Sequence, residues 1–257
     1  MYKLEYFEKD KIEKFYENWE ESGIYSFLSG YMGAAWVDDI SSPNSARIIT
    51  GDFCYLAGDA ASPGAKDLIY NIPEEIAEDV LLVPQNKRWS NLIEESYGEN
   101  CEKIIRYATK KEGDVFDRAL LKSYAESLPK HYSIVPIDEG LYHLALEDEW
   151  SHDFVSQFKD YKDFEQRGMG FGVIYKDKLV SGSSSYTVYP GGCEVETDTF
   201  RPYRRRGLAM AVTAHMILAC LERGWYPSCD CANSISLHMA EKFGYRLDRE
   251  YEVYAVF

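Results

Sequence analysis

Several features that mark particular protein classes are missing from this chain of 257 residues. Its longest apolar-leaning run, Gly207–Cys220, contains Thr213 and His215 and is too short to cross a bilayer. The first residues are charged and contain no apolar leader core. We therefore expect a cytoplasmic protein without a membrane-spanning segment.

Cysteine pairs with metal-binding spacing are also missing. The six cysteines form no C-x-x-C pair, and no histidine-rich segment accompanies them. A zinc site or other metal site is therefore not expected. In a reducing compartment we expect free, mostly buried thiols. The six are Cys54, Cys101, Cys193, Cys220, Cys229 and Cys231.

Positive charge is scarce in this chain. There are 28 Lys and Arg residues against 43 Asp and Glu residues, and the formal net charge is −15. Nucleic acids and anionic membranes attract cationic proteins, so neither is an expected partner. The same charge favours a cationic or amine-bearing small-molecule substrate. The oligomeric state stays open, an oligomer included.

Hydrophobic residues make up 46% of the chain and occur in short strand and helix patterns, which predict an α/β fold with a mixed sheet covered by helices. We place a seam at Leu128-Pro129, between an N-terminal α/β domain (1–127) and a second domain (128–257). The predicted strands are Ala35–Val37, Ala46–Thr50, Asp52–Ala57, Leu81–Pro84, Tyr132–Ile137, Gly170–Tyr175, Leu179–Tyr189, Cys193–Phe200, Pro227–Cys231 and Arg249–Phe257. The predicted helices are Lys9–Glu21, Asn86–Tyr97, Asp117–Leu128, Glu139–Trp150, Phe154–Phe164, Gly207–Arg223 and Ser234–Phe243.

The segment Thr199–Ala209 joins a predicted strand to a predicted helix through three arginines and a glycine. The first N–H groups of a helix lack partners and carry partial positive charge, so they attract anions. Gly207 lets a phosphate approach the backbone, and Arg204, Arg205 and Arg206 add full charge. We interpret the segment as a pyrophosphate site rather than a solvated basic run. The alternative for Arg204 is a structural side chain whose backbone alone serves the site.

Two motifs carry a resemblance to a known superfamily. Arg204-x-x-Gly207-x-Ala209 fits the pattern R/Q-x-x-G-x-G/A, and Asn233–Tyr245 fits N-x-x-A…E-K-x-G-F. With this strand order, the second half resembles the GNAT superfamily of N-acetyltransferases. The whole chain is similar to a bacterial subgroup related to the zwittermicin-resistance acetyltransferases. The segments that carry this closer similarity are Ser29–Gly33, Gly51–Phe53 and Cys220–Gly224.

The resemblance implies acetyl-CoA as cosubstrate. Backbone N–H groups from Arg205 to Ala209 would hold its pyrophosphate. The edge of the strand Cys193–Phe200 would pair with the pantetheine amides, because the fourth and fifth strands of the fold splay apart. The implied cofactor-binding residues are Thr197, Thr199, Arg204, Arg205, Arg206, Gly207, Leu208, Ala209, Asn233 and Ser236.

Three acidic residues alternate along one predicted strand, so Glu194, Glu196 and Asp198 share one face. A solvated face is the simple interpretation, and we prefer it for Asp198. In a central strand, however, a carboxylate needs a polar cleft, where it can accept a proton from an ammonium substrate. Glu196 is the favoured general base and Glu194 is the alternative.

The chain departs from the family pattern at Ala240, where many relatives carry a tyrosine that acts as general acid. His238, Tyr245 and Tyr251 lie nearby in the sequence, and we expect each to be a packing residue. A coenzyme A thiolate can also take its proton from water. Cysteine nucleophiles at Cys229 and Cys231, which should share a strand face, are a weaker alternative. Weak acceptor-site candidates are Trp150, Ser151 and His152.

The sequence therefore predicts an N-acetyltransferase that acts on a small-molecule primary amine by direct attack in a ternary complex. Ala240 motivates the alternative of a non-catalytic acyl-CoA-binding or regulatory protein. An ATP-binding module is weaker, since the Lys-Ser/Thr pair of a P-loop is lacking. The first half is either a packing domain or a diverged GNAT-like unit without a phosphate loop.

Overall fold

The computed structural model describes residues 1–73 and 80–257. Contacts divide the chain into two compact units: unit 1 is Met1–Arg106 with Glu250–Phe257, and unit 2 is Tyr107–Arg249. The elements, in chain order, are β1 (Tyr2–Leu4), α1 (Asp10–Glu13), α2 (Ser22–Leu28), β2 (Ala34–Val37), β3 (Ser45–Thr50), β4 (Phe53–Gly58), α3 (Ala65–Tyr70), β5 (Leu81–Pro84), α4 (Lys87–Tyr97), β6 (Cys101–Thr109), α5 (Arg118–Ala125), β7 (Ser133–Pro136), α6 (Glu139–Glu147), α7 (Glu149–His152), α8 (Tyr161–Arg167), β8 (Gly170–Tyr175), β9 (Lys178–Tyr189), β10 (Gly192–Thr199), α9 (Leu208–Arg223), β11 (Tyr226–Ser228), β12 (Asp230–Cys231), α10 (Ser234–Phe243) and β13 (Leu247–Val256).

Unit 1 is a sheet with a core on each face. Strands β1 to β4 pair antiparallel in chain order, β5 runs parallel to β4, and β13 pairs antiparallel with β5. All six residues of β3 are buried, as expected for a strand covered on both sides. One core contains Ile24 and Phe27 of α2, and the other contains Leu68 of α3 with Trp89 of α4.

Unit 2 contains a five-stranded sheet in the order β11-β10-β9-β8-β7, in which β10 and β11 are parallel and the other pairs antiparallel. Leu208 and Val212 of α9 pack against Val173 and Val180 of the sheet. This packing fixes where α9 begins relative to the end of β10.

The strand order repeats between the two units. Each has a strand and helices, then three antiparallel strands, a crossover helix, a strand parallel to the last of them, and a further helix. The predicted α/β class with mixed sheets is confirmed. The repeat supports the interpretation of the first half as a diverged copy of the second.

The contact-defined units divide at Arg106, earlier than the predicted seam at Leu128-Pro129. The reason is that Leu121 of α5 packs with Ala214 and Ile217 of α9, inside unit 2. The division into domains 1–127 and 128–257 stays a prediction about functional parts.

Two predicted helices differ clearly from the structure, and one long strand was not predicted. The helix expected over Lys9–Glu21 ends early, because α1 passes into a 3₁₀ turn and Asn18 has a φ of 63°. The helix expected over Phe154–Phe164 is displaced to α8, where Asp160 caps the first turn through the N–H of Asp163. Strand β6 (Cys101–Thr109), in which Lys, Glu and Arg alternate irregularly with apolar residues, was not among the predicted strands.

Candidate active site

The predicted splay lies between β10 and β11. Strand β10 pairs with β9 over its full length, but β11 pairs with β10 only at Gly192, Cys193 and Glu194. The chain then turns away, and β12 pairs with the end of β6 instead. The predicted strand Pro227–Cys231 is therefore two short strands with different partners. In the described part of the chain, no strand pairs with 195–199 on this side.

Backbone direction along β10 can be assigned from two hydrogen bonds. The N–H of Phe200 donates to the Val180 carbonyl at 3.0 Å, toward β9, and the N–H of Tyr226 donates to the Gly191 carbonyl at 2.7 Å, from the other side. Backbone groups of successive strand residues alternate between the two edges. On the open side of the splay, the Val195 carbonyl and both backbone groups of Thr197 have no strand partner in the described part of the chain, whereas the Val195 N–H is directed to the Ser228 carbonyl as the last step of the ladder.

Thr199 also faces that side, but its backbone is already bonded. Its N–H donates to Asp198 Oδ1 at 2.6 Å, and its carbonyl accepts from Arg204 Nε at 2.8 Å. Of the two threonines predicted to pair with the cofactor, Thr197 keeps its edge open and Thr199 does not. Val195 was missed, although it shares the odd-numbered alternation with Thr197.

The threonine side chains of β10 point to the α9 side of the sheet. Thr197 Oγ1 lies 2.8 Å from Ser183 Oγ and 3.0 Å from Thr213 Oγ1 of α9. Thr199 Oγ1 lies 2.7 Å from Ser181 Oγ. These hydroxyl contacts tie β10 to β9 and to α9, so the open edge is held by a rigid support.

Helix α9 begins without a side-chain cap. Gly207 occupies its N-cap position with a φ of 79°, and no side chain hydrogen-bonds there. A Cβ built on Gly207 would meet nothing within 4 Å, so backbone conformation rather than space requires glycine. The N–H groups of Leu208 and Ala209 in the first turn therefore have no side-chain cap, which is the arrangement that an anion site needs.

The three arginines before this helix have different surroundings. Arg204 donates to Thr199 O and pairs with Asp198 at 3.0 Å. These contacts are of the kind that the structural alternative for its side chain expects, and that alternative stays a prediction. Arg206 donates to Tyr132 Oη at 3.2 Å and to Pro202 O at 3.0 Å. Arg205 is exposed at a φ of 64°, and its side chain has no hydrogen bond or ion pair to any described residue.

Glu194, Glu196 and Asp198 lie half-buried on the sheet face opposite the threonines. Asp198 pairs with Arg204, and the solvated-face interpretation of Asp198 stays a prediction. Glu194 Oε1 accepts the N–H of Asp230 at 2.6 Å, across the mouth of the splay. Glu196 lies opposite Ser184 in the β9–β10 pair, on the same face as its acidic neighbours.

Helix α7 lies over this acidic face. The ring of Phe154, just after α7, covers Gly182, the cross-strand partner of Asp198. Trp150 contacts Phe154 and Phe200, with ring centroids 5.7 and 5.6 Å apart. Of the three acceptor-site candidates, Trp150 therefore faces this side. Ser151 donates to the buried Ala145 carbonyl, and His152 lies exposed beside Asp153.

The second motif begins with a helix cap. Asn233 Oδ1 accepts the N–H groups of Ile235 and Ser236, each at 3.0 Å. This capping alone accounts for an Asn at the start of α10, so a ligand contact is not needed to explain the residue. Contacts of Asn233 and Ser236 with a cofactor stay a prediction.

Of the residues near Ala240 that were expected to pack, Tyr245 and Tyr251 do, and the expectation for His238 is wrong because its side chain is exposed. Ala240 is buried with Phe243 and Tyr245. Tyr245 Oη donates to the Pro227 carbonyl at 2.6 Å, and burial raises its pKa well above the usual range. His238 is exposed, 3.8 Å from Glu241. Tyr251 packs against the core of unit 1.

The six cysteines are free thiols, as expected. Cys229 and Cys231 point the same way, with sulfurs 3.7 Å apart. Contact with the Cys231 thiol, then burial, raises the pKa of Cys229 well above its ordinary value. Because the thiolate is the nucleophile, this environment argues against a cysteine intermediate.

Residues 1–73 and 80–257 contain no group of three or more His, Cys, Asp or Glu side chains arranged to hold a metal ion. Within the same residues, every helix is too short or too polar to span a membrane.

The family model of the GNAT acetyltransferases matches residues 13–254, so the chain belongs to the GNAT acetyltransferase family. A GCN5-related N-acetyltransferase-like protein from Streptococcus suis 89/1591 is 40% identical, with a TM-score of 0.92 over 98% of this chain and 99% of that chain. The uncharacterized N-acetyltransferase YdfB of Bacillus subtilis (strain 168) is 27% identical over 90% of this chain and 88% of its own length. A GCN5-related N-acetyltransferase from Kribbella flavida shares the fold, at 15% identity and a TM-score of 0.59 over 90% of this chain and 92% of that chain.

The predicted resemblance is confirmed at the level of family, and the protein is an acyltransferase of the GNAT N-acetyltransferase type. The closer similarity to the zwittermicin-resistance subgroup stays a prediction.

Proposed function

We propose that the protein is a cytoplasmic enzyme that transfers an acetyl group from acetyl-CoA to the primary amine of a small molecule. The observation that carries the proposal is the splay of β10 and β11, which leaves the Val195 carbonyl and the backbone groups of Thr197 open beside Glu196. A second, independent support is the uncapped start of α9 at Gly207.

The residues present fit such a cosubstrate. The first N–H groups of α9, at Leu208 and Ala209, would hold the pyrophosphate, and Arg205 would add its charge. Val195 and Thr197 would bond the amides of the pantetheine arm in the manner of an added β-strand. Acetyl-CoA supplies the thioester that is attacked.

Glu196 is the proposed general base. An amine attacks only when neutral, so Glu196 accepts the ammonium proton, directly or through one water. The nitrogen then bonds the acyl carbon, the carbon–sulfur bond breaks, and the thiolate leaves with the electron pair. The nitrogen loses a second proton as the amide forms, and water carries that proton to the thiolate, because Ala240 has no proton to donate and Tyr245 is buried and bonded to the Pro227 carbonyl.

Calorimetry with acetyl-CoA tests the first step. We expect wild-type protein to bind the cosubstrate, and Gly207→Glu to abolish binding by placing a carboxylate at the anion site. Gly224→Glu is the matched control, because Gly224 ends the same helix at a φ of 75° and a Cβ there also meets nothing within 4 Å. Absence of wild-type binding at sub-millimolar acetyl-CoA would contradict the proposal.

A thiol-release assay over a panel of amines tests turnover. Antibiotic amines, polyamines, amino acids and peptide N-termini belong in the panel. The buried Ala240 favours one alternative, a non-catalytic acyl-CoA-binding or regulatory protein. Binding of acetyl-CoA without thiol release for any amine would support that alternative.

A further inference from the structure

The hydrogen bond between Glu194 and Asp230 replaces one step of a strand ladder. In a parallel ladder, a residue whose backbone groups face the other strand accepts one N–H at its carbonyl oxygen. The donor is the residue that comes directly after its opposite partner. Tyr226 N–H to Gly191 O fits this rule. Since Glu194 lies opposite Ser228, the continued ladder would send the N–H of Asp230 to the carbonyl of Val195. Instead, that N–H donates to Glu194 Oε1 at 2.6 Å.

Unit 1 shows the same ladder without this diversion. There β4 and β5 pair up to Leu56 and Pro84, and the next N–H, that of Gln85, donates to the Leu56 carbonyl at 3.0 Å. The ladder therefore continues by one more hydrogen bond in unit 1, which has no glutamate at the corresponding position. It ends earlier in unit 2, where Glu194 occupies that position.

The diverted strand is also held on its far side. Thr109 Oγ1 donates to the carbonyl of Cys229 at 2.6 Å, and Asp230 pairs with Ala108 of β6. If the β10–β11 register continued, Asp230 would come to lie opposite Glu196. Closure of the ladder would thus occupy the space beside the proposed base.

We propose that Glu194 is a positioning residue that keeps β10 and β11 apart, by accepting the Asp230 N–H and leaving the Val195 carbonyl for the pantetheine arm. This role rests on the proposed function and differs from a role as general base. A base must gain and lose a proton, whereas the positioning role needs only an acceptor oxygen. Glutamine supplies that oxygen and alanine does not.

The Glu194–Asp230 bond is tested in the free protein by NMR with ¹⁵N-aspartate labelling. We expect the Asp230 amide proton of the wild type to be shifted downfield and to move upfield as the Glu194 carboxyl is protonated. In Glu194→Gln the change in the Asp230 amide shift that protonation of Glu194 causes is absent, while the amide stays protected from exchange. An Asp230 amide that titrates alike in both proteins would overturn the inference, whatever the activity.

Positioning is tested by affinity and rate together. We expect Glu194→Ala to weaken acetyl-CoA binding about tenfold or more, the size of a lost hydrogen bond to a charged group. Glu194→Gln should stay within about threefold of the wild type in acetyl-CoA affinity and in kcat, and keep the pH profile of kcat. A glutamine variant as impaired as alanine, or an alanine variant with wild-type affinity, would overturn the inference. Failure of the wild type to bind acetyl-CoA would instead contradict the proposed function.

Discussion

Arg204 Nε donates to the carbonyl oxygen of Thr199 at 2.8 Å, while its guanidinium also pairs with Asp198. Arg204, the first arginine of the signature, thus occupies the hydrogen-bonding groups at the end of β10. Its neighbour Arg205 is exposed at the start of the proposed anion site. The two adjacent arginines are expected to have separable roles.

We expect Arg205→Gln to weaken acetyl-CoA binding by about three- to tenfold, because an exposed charge contributes modestly to phosphate binding. Its melting temperature should stay unchanged. Arg204→Gln should lower the melting temperature, since the Thr199 carbonyl and Asp198 lose their partner. Calorimetry and thermal unfolding of both variants check the split. Equal loss of affinity without loss of stability in Arg204→Gln would contradict it.

Replacement of Glu196 by Gln should slow the chemical step. We expect kcat to fall about 10²- to 10⁴-fold at neutral pH, the usual contribution of a general base. The KM for acetyl-CoA should change little. Steady-state kinetics with varied acetyl-CoA and a saturating amine measure both. A rate restored at higher pH, where the amine is neutral without help, would support the role, and an unchanged kcat would contradict it.

The repeated fold predicts one acetyl-CoA per chain rather than two. In unit 1 the β4–β5 ladder is closed at Gln85, and the loop from Gly58 to Gly64 contains Asp59 and no basic residue. Helix α3 has only six residues. We expect a calorimetric stoichiometry near one. A value near two would show that unit 1 also binds.

His215 predicts a loss of stability in mild acid. Burial against Phe171 lowers its pKa below 6.5, so the folded state favours the neutral imidazole. The contribution of His215 to the free energy of unfolding is complete above the unfolded-state pKa. It is lost as the pH falls through 6.5 and then through the lower folded-state pKa. The melting temperature of His215→Gln should therefore fall less than that of the wild type between pH 7.5 and pH 5. The exposed His238→Gln is the control and should follow the wild type. Parallel curves for all three would contradict the assignment.

The elements that could be predicted are those with a complete local signal. Helix α10 has its cap at Asn233 and its stop at Gly244, and its bounds match the prediction, Ser234–Phe243. Gly224 likewise ends α9 in the left-handed region. Strands β5 and β8 also match, because short apolar runs between turn residues leave little choice.

The site was predictable in place but not in detail. Strand alternation pointed to Glu196, the glycine at the helix start pointed to Gly207, and the family resemblance implied Thr197; the roles of all three stay predictions. Which backbone groups of β10 stay open depends on pairing with β9 and β11, which spacing cannot give. The use of Arg204 and Arg206 as braces depends on Thr199 and Tyr132, and the second of these lies far away in sequence.

Strand β13 belongs to the sheet of unit 1, where Tyr254 and Ala255 pair with Leu82 and Leu81. The ribosome makes these residues only after the whole of 107–249. At about 5–20 residues per second, the rest of unit 1 waits roughly 7–30 s for its last strand. During synthesis, the half that appears first is the half that finishes last, and its β5 edge is exposed to chaperones and to neighbouring nascent chains in the meantime.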